Sequence, residues 1–470
     1  MDDRHLVEKL YTAQVEVWLQ QQTDAISFVK VINSAGWYEK HSDIEFYVVF
    51  LNSENLGSAC QRVLICTDVD GQTFNLAAKE TQQKLASGFS TLDQYMQLVN
   101  CLIGADFDLA QPIPLNSLVI KKPWGQEIWF TGVEERGVCK LTSSNNVNVL
   151  LPLLTELLPN TLLAQSHGEL ILLKILDPLP SPVVGDLYFE LHEKKREVYV
   201  VTHVDTDAWP DGVGGIRYGF DQTVVASFSS QDELRQSYLS AVEAYEEVRR
   251  KLDQLLDAKR EQHNFAADDH IAGDIVDSWL QSIDLSLIRA EKERRVEMER
   301  FSAIRPLRVG DVVKVPLYTP HSLQHGVRTV EFQTPVYERM ILSFAQKVLT
   351  QNHWDTKRAV ELMDVSEPKE EPFVQLGCAD GVVIERIVDF DDFEVQRVSL
   401  VAGCHFSLPM DGRYWLAIGV DGELSVDSVT LLGESALLLP KTLISVCFSN
   451  NGHTNVTLLL ATPKLTEDSC

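Results

Sequence analysis

The chain has 470 residues, a formal charge of −27 from 41 basic and 68 acidic side chains, and a hydrophobic content of 45%. That length calls for two or three cores rather than one, and the charge repels nucleic-acid phosphates and anionic lipid. No run of about 18 apolar residues could span a membrane, the opening MDDRHLVEKLY lacks the basic-then-apolar order of a secretion signal, and none of the eight cysteines forms a C-x-x-C pair, so the expectation is a cytoplasmic protein with reduced thiols and neither nucleic acid nor membrane as partner.

Residues 1–115 have the pattern of a mixed α/β unit. Leu6, Leu10, Val15 and Leu19 predict an opening helix, FYVVFL (46–51) a strand, RVLICTDVDGQTFNLAA a hairpin turning at Asp70-Gly71, and LDQYMQLVNCLIG (92–104) a helix. No cluster there carries chemistry, so a packing role is expected. From 116 to 230 short β-runs follow one another: SLVI, EIWFTGV, LILLKIL, DLYFELH and EVYVVTHV. Turn residues separate them, which suggests an antiparallel sandwich or barrel. Residues 231–300 break this rhythm. Leu234, Tyr238, Val242, Tyr245, Val248, Leu252 and Leu255 recur at helical spacing behind a candidate N-cap, Ser230. Strands resume at 307, a helix is expected over 341–363, and EPKEEP (367–372) suits a linker. The stretch 376–462 is again all β, with Asp421-Gly422 and Asn451-Gly452 as expected hairpin turns. The fold class predicted is mainly β: two cupin (jelly-roll β-barrel) domains, a helical insertion, and an N-terminal α/β unit. The expected domains are 1–115, 116–365 with the insertion 231–300, and 366–470.

The chemistry concentrates in two segments. In ELHEKKREVYVV, Glu190 and His192 are two residues apart, so on a strand they share a face. Glu197 follows five residues later, room for a tight turn and a return strand. In GDVVKVPLYTPHSLQ, Gly310 is followed by Pro316 and then His321. This spacing matches the second cupin motif, G-x5-P-x-G-x2-H, with Tyr318 at the inner glycine. Gly185-x4-Glu190-x-His192-x4-Glu197 matches the first motif, with a glutamate at the first histidine position. Taken singly, an E-x-H pair is usually a solvated strand face and a lone histidine a core residue. Together the four supply a donor set suited to one zinc per chain, or to manganese or iron, since two donors are hard carboxylates. The C-terminal β stretch has only isolated His405 and His453, so it is expected to be structural.

KKPWGQEIWFTG (121–132), LILLKILDPLPSPVVGDLYFELHEKKREVYVV and GDVVKVPLYTPHSLQHGVRTVEFQ resemble the type I mannose-6-phosphate isomerase family, over roughly 116–460. The resemblance implies an aldose–ketose isomerase that works through an enediol, with a sugar or sugar phosphate as its partner. It places Glu190, His192, Glu197 and His321 on the metal ligands, Glu190 falling where the family has glutamine. It makes Arg339 the arginine that faces the sugar and Glu331 a candidate acid/base. Lys122, Trp124, Lys174 and Tyr188 are the candidate sugar contacts; Tyr188 replaces a serine that holds phosphate in the family. Surface or strand-edge roles also suit the two lysines. The alternatives are a non-catalytic metal-containing sugar-binding or regulatory cupin, and an isomerase or epimerase of an unphosphorylated sugar.

Overall fold

The computed structural model describes residues 7–464, apart from 34–42, 53–59, 68–70, 88–90, 135–136, 164–169, 267–268, 270, 272 and 350. It is mainly β, and the chain divides into two compact units. One contains 1–118, 130–171 and 373–470; the other contains 119–129 and 172–372.

In the first unit a five-stranded sheet runs Glu8–Tyr11, Ile26–Asn33, Ile44–Leu51, Arg62–Cys66 and Ala105–Asp108. The expected opening helix is confined to Thr12–Leu19, because Leu10 lies on the edge strand; Leu6 is outside the described residues. The expected hairpin at Asp70-Gly71 does not form: after Arg62–Cys66 the chain enters a helix, Gly71–Leu85. Phe74 and Ala78 of that helix are buried against Phe28 and Tyr95, so a helical period overrides the Asp-Gly turn signal; Asp70 itself is outside the described residues. A nine-stranded and a four-stranded sheet enclose a second core, which includes Trp415, Leu437 and Leu460 from one and Leu424, Val426 and Phe448 from the other. The Asp421-Gly422 and Asn451-Gly452 turns are not hairpins. Each carries the chain from one of these sheets to the other.

The second unit holds a six-stranded sheet, in the order Val312–Val315, Glu197–Val204, Val327–Gln333, Leu172–Pro178, Gly125–Trp129, Leu118–Lys122. A five-stranded sheet runs Ser302–Leu307, Gly214–Phe220, His321–Leu323, Phe189–Leu191, Met340–Ser343. One apolar cluster joins them, with Tyr199 and Val201 from the first and Ile216, Leu323 and Ile341 from the second. The jelly roll is thus a pair of sheets, and none of the sheets closes into a barrel. The helix expected over 341–363 is limited to Thr356–Leu362, because Met340–Ser343 pairs with Phe189–Leu191 as the edge of the five-stranded sheet.

The segment 231–300 forms three helices, Gln231–Gln262, Gly273–Gln281 and Leu285–Glu299. Ser230 caps the first, its side chain accepting a hydrogen bond from the Glu233 N–H at 3.1 Å. Leu234, Tyr238, Val242, Tyr245 and Leu252 are buried along one face, while Leu255 is exposed. Tyr238 meets Phe220 and Phe301 with ring centroids 5.4 and 5.3 Å apart. An amphipathic helix of this length is held by that apolar stripe rather than by propensity.

Candidate metal centre

Glu190 and His321 face each other across an antiparallel pair, with Tyr218 opposite His321 on its other side. Directly opposed residues share a face, so the register brings together two residues 131 positions apart. His192 follows immediately after the Phe189–Leu191 strand. The chain then turns and enters the six-stranded sheet at Glu197. That turn is pinned by its neighbours. Glu338 Oε2 accepts the N–H groups of Glu193 and Lys194 at 2.9 and 3.0 Å, Thr334 Oγ1 accepts that of Arg196 at 3.0 Å, and the Tyr318 N–H donates to the His192 carbonyl at 2.7 Å.

Two motif positions show why their residue types matter. At Gly185 a Cβ would lie 1.9 Å from the Leu179 carbonyl oxygen, so only glycine fits. Tyr318, at the inner glycine position, keeps a glycine-like conformation, with φ of 64°.

Ligating atoms of Glu190, His192 and His321 all lie within 4.8 Å of one another. Glu197 adjoins both histidines: Oε1 is 3.4 Å from His192 Nε2, and Oε2 is 3.1 Å from His321 Nε2. Both ring nitrogens of His192 and Oε2 of Glu190 are buried and make no hydrogen bond. His321 Nδ1 faces the Thr319 carbonyl at 3.0 Å. A carbonyl can only accept, so Nδ1 carries the proton and a neutral ring turns its Nε2 lone pair toward the Glu197 carboxylate. Two acceptors facing at this distance need a cation or a second proton between them. Glu190, His192 and His321 fit a divalent ion, with the Glu197 carboxylate beside both imidazoles.

Around these donors lies a buried lattice of opposite charges. Lys195 Nζ is 2.5 Å from Glu197 Oε1, and the Tyr199 hydroxyl donates to Glu197 Oε2 at 2.5 Å. Lys174 is 3.3 Å from Glu331, directly opposite it in register, and 4.0 Å from Glu127; Lys122 is 3.4 Å from Glu127. The Trp129 indole donates to Glu127 at 2.7 Å. Burial alone would raise the pKa of Glu197, but Lys195 and His192 outweigh it and hold the carboxyl well below its usual range. Burial pulls His192 down, and Lys195 adds to that. Glu331 is pushed well above the usual carboxylate value by burial, with Lys174 opposing. Burial would lower Lys174, but Glu127 and Glu331 reverse the sign. Lys174 lies on an inner strand, whereas Lys122 ends the edge strand Leu118–Lys122; both are buried, 8% exposed, and ion-paired.

Tyr188 is buried against Phe344, with ring centroids 4.2 Å apart, and Arg339 lies over its ring at 4.6 Å. Burial raises the Tyr188 hydroxyl to about 12. Burial would lower the Arg339 guanidinium, and Glu190, then Tyr188, raise it instead. Trp124 is a core residue of the apolar cluster, 1% exposed, and its indole N–H has no hydrogen-bond partner among the described residues. Sequence reasoning missed Glu127, Lys195, Tyr199 and Glu338. The signal for three of them was the strand period: Lys195, Glu197 and Tyr199 alternate, as do Glu127 and Trp129. Glu338 acts through a loop contact that no periodicity encodes. His405 and His453 are both exposed, and no other group of metal-ligating side chains occurs among the described residues. Among the described residues no helix is long and apolar enough to cross a membrane.

No family model matches the sequence, and no curated protein matches it. Solved structures do match. Mannose 6-phosphate isomerase (apo form) from Salmonella typhimurium is similar at 16% identity and a TM-score of 0.52, over 76% of this chain and 100% of that one. The mannose 6-phosphate isomerase from Bacillus subtilis is similar at 13% identity and a TM-score of 0.51, over 75% and 99%. The chain has the cupin fold of the phosphomannose isomerases.

Proposed function

We propose that this chain is a metal-dependent aldose–ketose isomerase acting on a sugar phosphate, with mannose 6-phosphate the first candidate. The observation that carries this reading is the donor set Glu190, His192, Glu197 and His321, with a buried carboxyl–ammonium pair, Glu331–Lys174, on the adjoining sheet face. The likeness in fold to isomerases of that substrate supports it. Glu190, His192, Glu197 and His321 would hold one divalent ion, with zinc favoured over manganese or iron. When bound, such an ion polarises the substrate oxygens at C1 and C2 and stabilises negative charge developing there.

The remaining work falls to the chain's own side chains. Glu331, raised by burial, is suited to carry a proton between C1 and C2, taking it in one direction and returning it in the other. Lys174 steadies the ionised form of Glu331. Arg339, fixed over the Tyr188 ring and within electrostatic reach of Glu190, offsets enediolate charge or grips a phosphate. Lys122, Lys174 and Tyr188 would border the sugar, with Trp124 in the buried apolar cluster that holds Tyr188. A coupled isomerase assay over a panel of aldoses and aldose phosphates, with metal-stripped protein as control, tests this. Metal-dependent turnover of a sugar phosphate supports the reading, and silence across the panel refutes it.

A second reading, a non-catalytic metal-containing sugar-binding cupin, is favoured by one observation. The side chains of His192, Glu197, His321 and Glu331 are at most 2% exposed, and Glu190 keeps only 16%. Stoichiometric metal together with sugar binding and no turnover would select it.

A further inference from the structure

The three inserted helices, with the Pro182–Val184 stretch and the segment just after Met340–Ser343, enclose a cavity of about 330 Å³. None of the metal donors, nor Lys174 or Glu331, lines it. We propose that this cavity is a second ligand site, for a neutral and largely apolar small molecule that carries an amide or lactam edge. Its volume falls in the range of small-molecule sites. Leu252, Leu280, Ile288 and Leu349 make apolar walls.

The polar floor is unusual for a gap between helices. Arg249, Asp253 and Glu291 are 5%, 5% and 6% exposed. Arg249 bonds Asp253 Oδ1 at 2.7 Å and lies 3.6 Å from Glu291; Arg295 Nε lies 3.5 Å from Glu291 without hydrogen-bond geometry. Two atoms of this floor are buried and make no hydrogen bond: the acceptor Asp253 Oδ2 and the donor Arg295 Nε–H. Arg250 lies 3.9 Å from Asp253 Oδ2, beyond hydrogen-bond reach. Buried groups of this kind nearly always have partners.

Arg249, Arg295, Asp253 and Glu291 give the floor a formal charge of zero; Asp257, Arg260, Asp277, Lys292 and Lys347 also line the cavity. A charged group set against the buried floor would leave one charge there uncompensated, whereas a neutral group preserves its balance. A cis-amide presents one N–H and one C=O side by side, a donor for Asp253 and an acceptor for Arg295. The rest of the molecule would lie against the leucine and isoleucine walls.

The test uses 2-quinolone and N-methyl-2-quinolone, measured by titration calorimetry on the full chain. The expected result is one site for 2-quinolone, weakened at least about tenfold by the N-methyl group, which removes the donor. Ile288→Trp fills the cavity and should abolish binding while metal content stays unchanged; Leu280→Phe serves if that variant does not fold. No binding of 2-quinolone, equal binding of the two compounds, or binding that persists in the filled variants would overturn the proposal.

Discussion

His321 shows how far a single residue's surroundings dictate chemistry. Its Nδ1 is committed to the Thr319 carbonyl, so its Nε2 is available to a metal only because a backbone oxygen lies on the far side of the ring. His192→Ala or His321→Ala should lower metal affinity by more than the roughly 10- to 100-fold typical of losing an outer partner, read by competition with a chelator. Glu190→Gln keeps the shape and removes one charge. It should weaken metal retention, and unchanged retention would show that the charge of Glu190 does not contribute to it. Tyr318 holds a left-handed conformation, at φ of 64°. Tyr318→Gly should not lower the urea midpoint, whereas Tyr318→Val should cost about 1–3 kcal/mol, because a β-branched residue tolerates that region poorly. Asp186 gives a pH dependence. Burial alone would raise its pKa, but hydrogen bonds from the His325 ring and backbone N–H, at 2.8 and 2.9 Å, hold it below the ordinary value. Its stabilising contribution is therefore complete above the unfolded carboxylate value of about 3.9 and disappears as pH falls through the lower folded value. The stability gap between wild type and Asp186→Asn should shrink over that acidic window and be constant near neutrality.

At the scale of elements, the helical insertion depends on a buried ion network as well as on its apolar stripe. Arg249→Met leaves Asp253 and Glu291 without their shared partner and should cost about 3–5 kcal/mol, measured by chemical denaturation. Elements with a long, clean period were legible in the sequence: the Gln231–Gln262 helix and its Ser230 cap, and the alternating strand that begins at Glu197. Short apolar runs were not. ILSF could belong to a helix or a strand on periodicity alone, and its pairing with Phe189–Leu191 decides for strand. The Asp70-Gly71 signal was outweighed by burial of Phe74 and Ala78 at helical spacing. Asp421-Gly422 and Asn451-Gly452 are turns, but the sheet each following strand joins is settled by pairing with distant strands. The candidate site divides along the same line. Glu190, His192, Glu197 and His321 carried motif spacing. Lys195, Glu127 and Glu338 enter through contacts that spacing does not record, although strand alternation hinted at the first two.

For the whole molecule, two facing sheets set the candidate metal donors beside a compensated set of buried charges. Lys122, Lys174, Lys195 and Arg339 stand against Glu127, Glu190, Glu197 and Glu331, formally four of each sign. A bound divalent ion would leave the site with a net positive charge, which favours an anionic substrate or an enediolate. Proton transfer at C2 is the step on which the functional reading depends, and it can be followed directly. Metal-loaded protein incubated with mannose 6-phosphate in deuterium oxide should change the C2–H proton resonance, through conversion to the ketose, exchange with solvent, or both. Glu331→Gln, with its metal still bound, should leave that resonance intact over the same period. A C2–H signal unaltered by the metal-loaded wild-type protein, for this substrate and for every other aldose and aldose phosphate in the panel, would contradict the account.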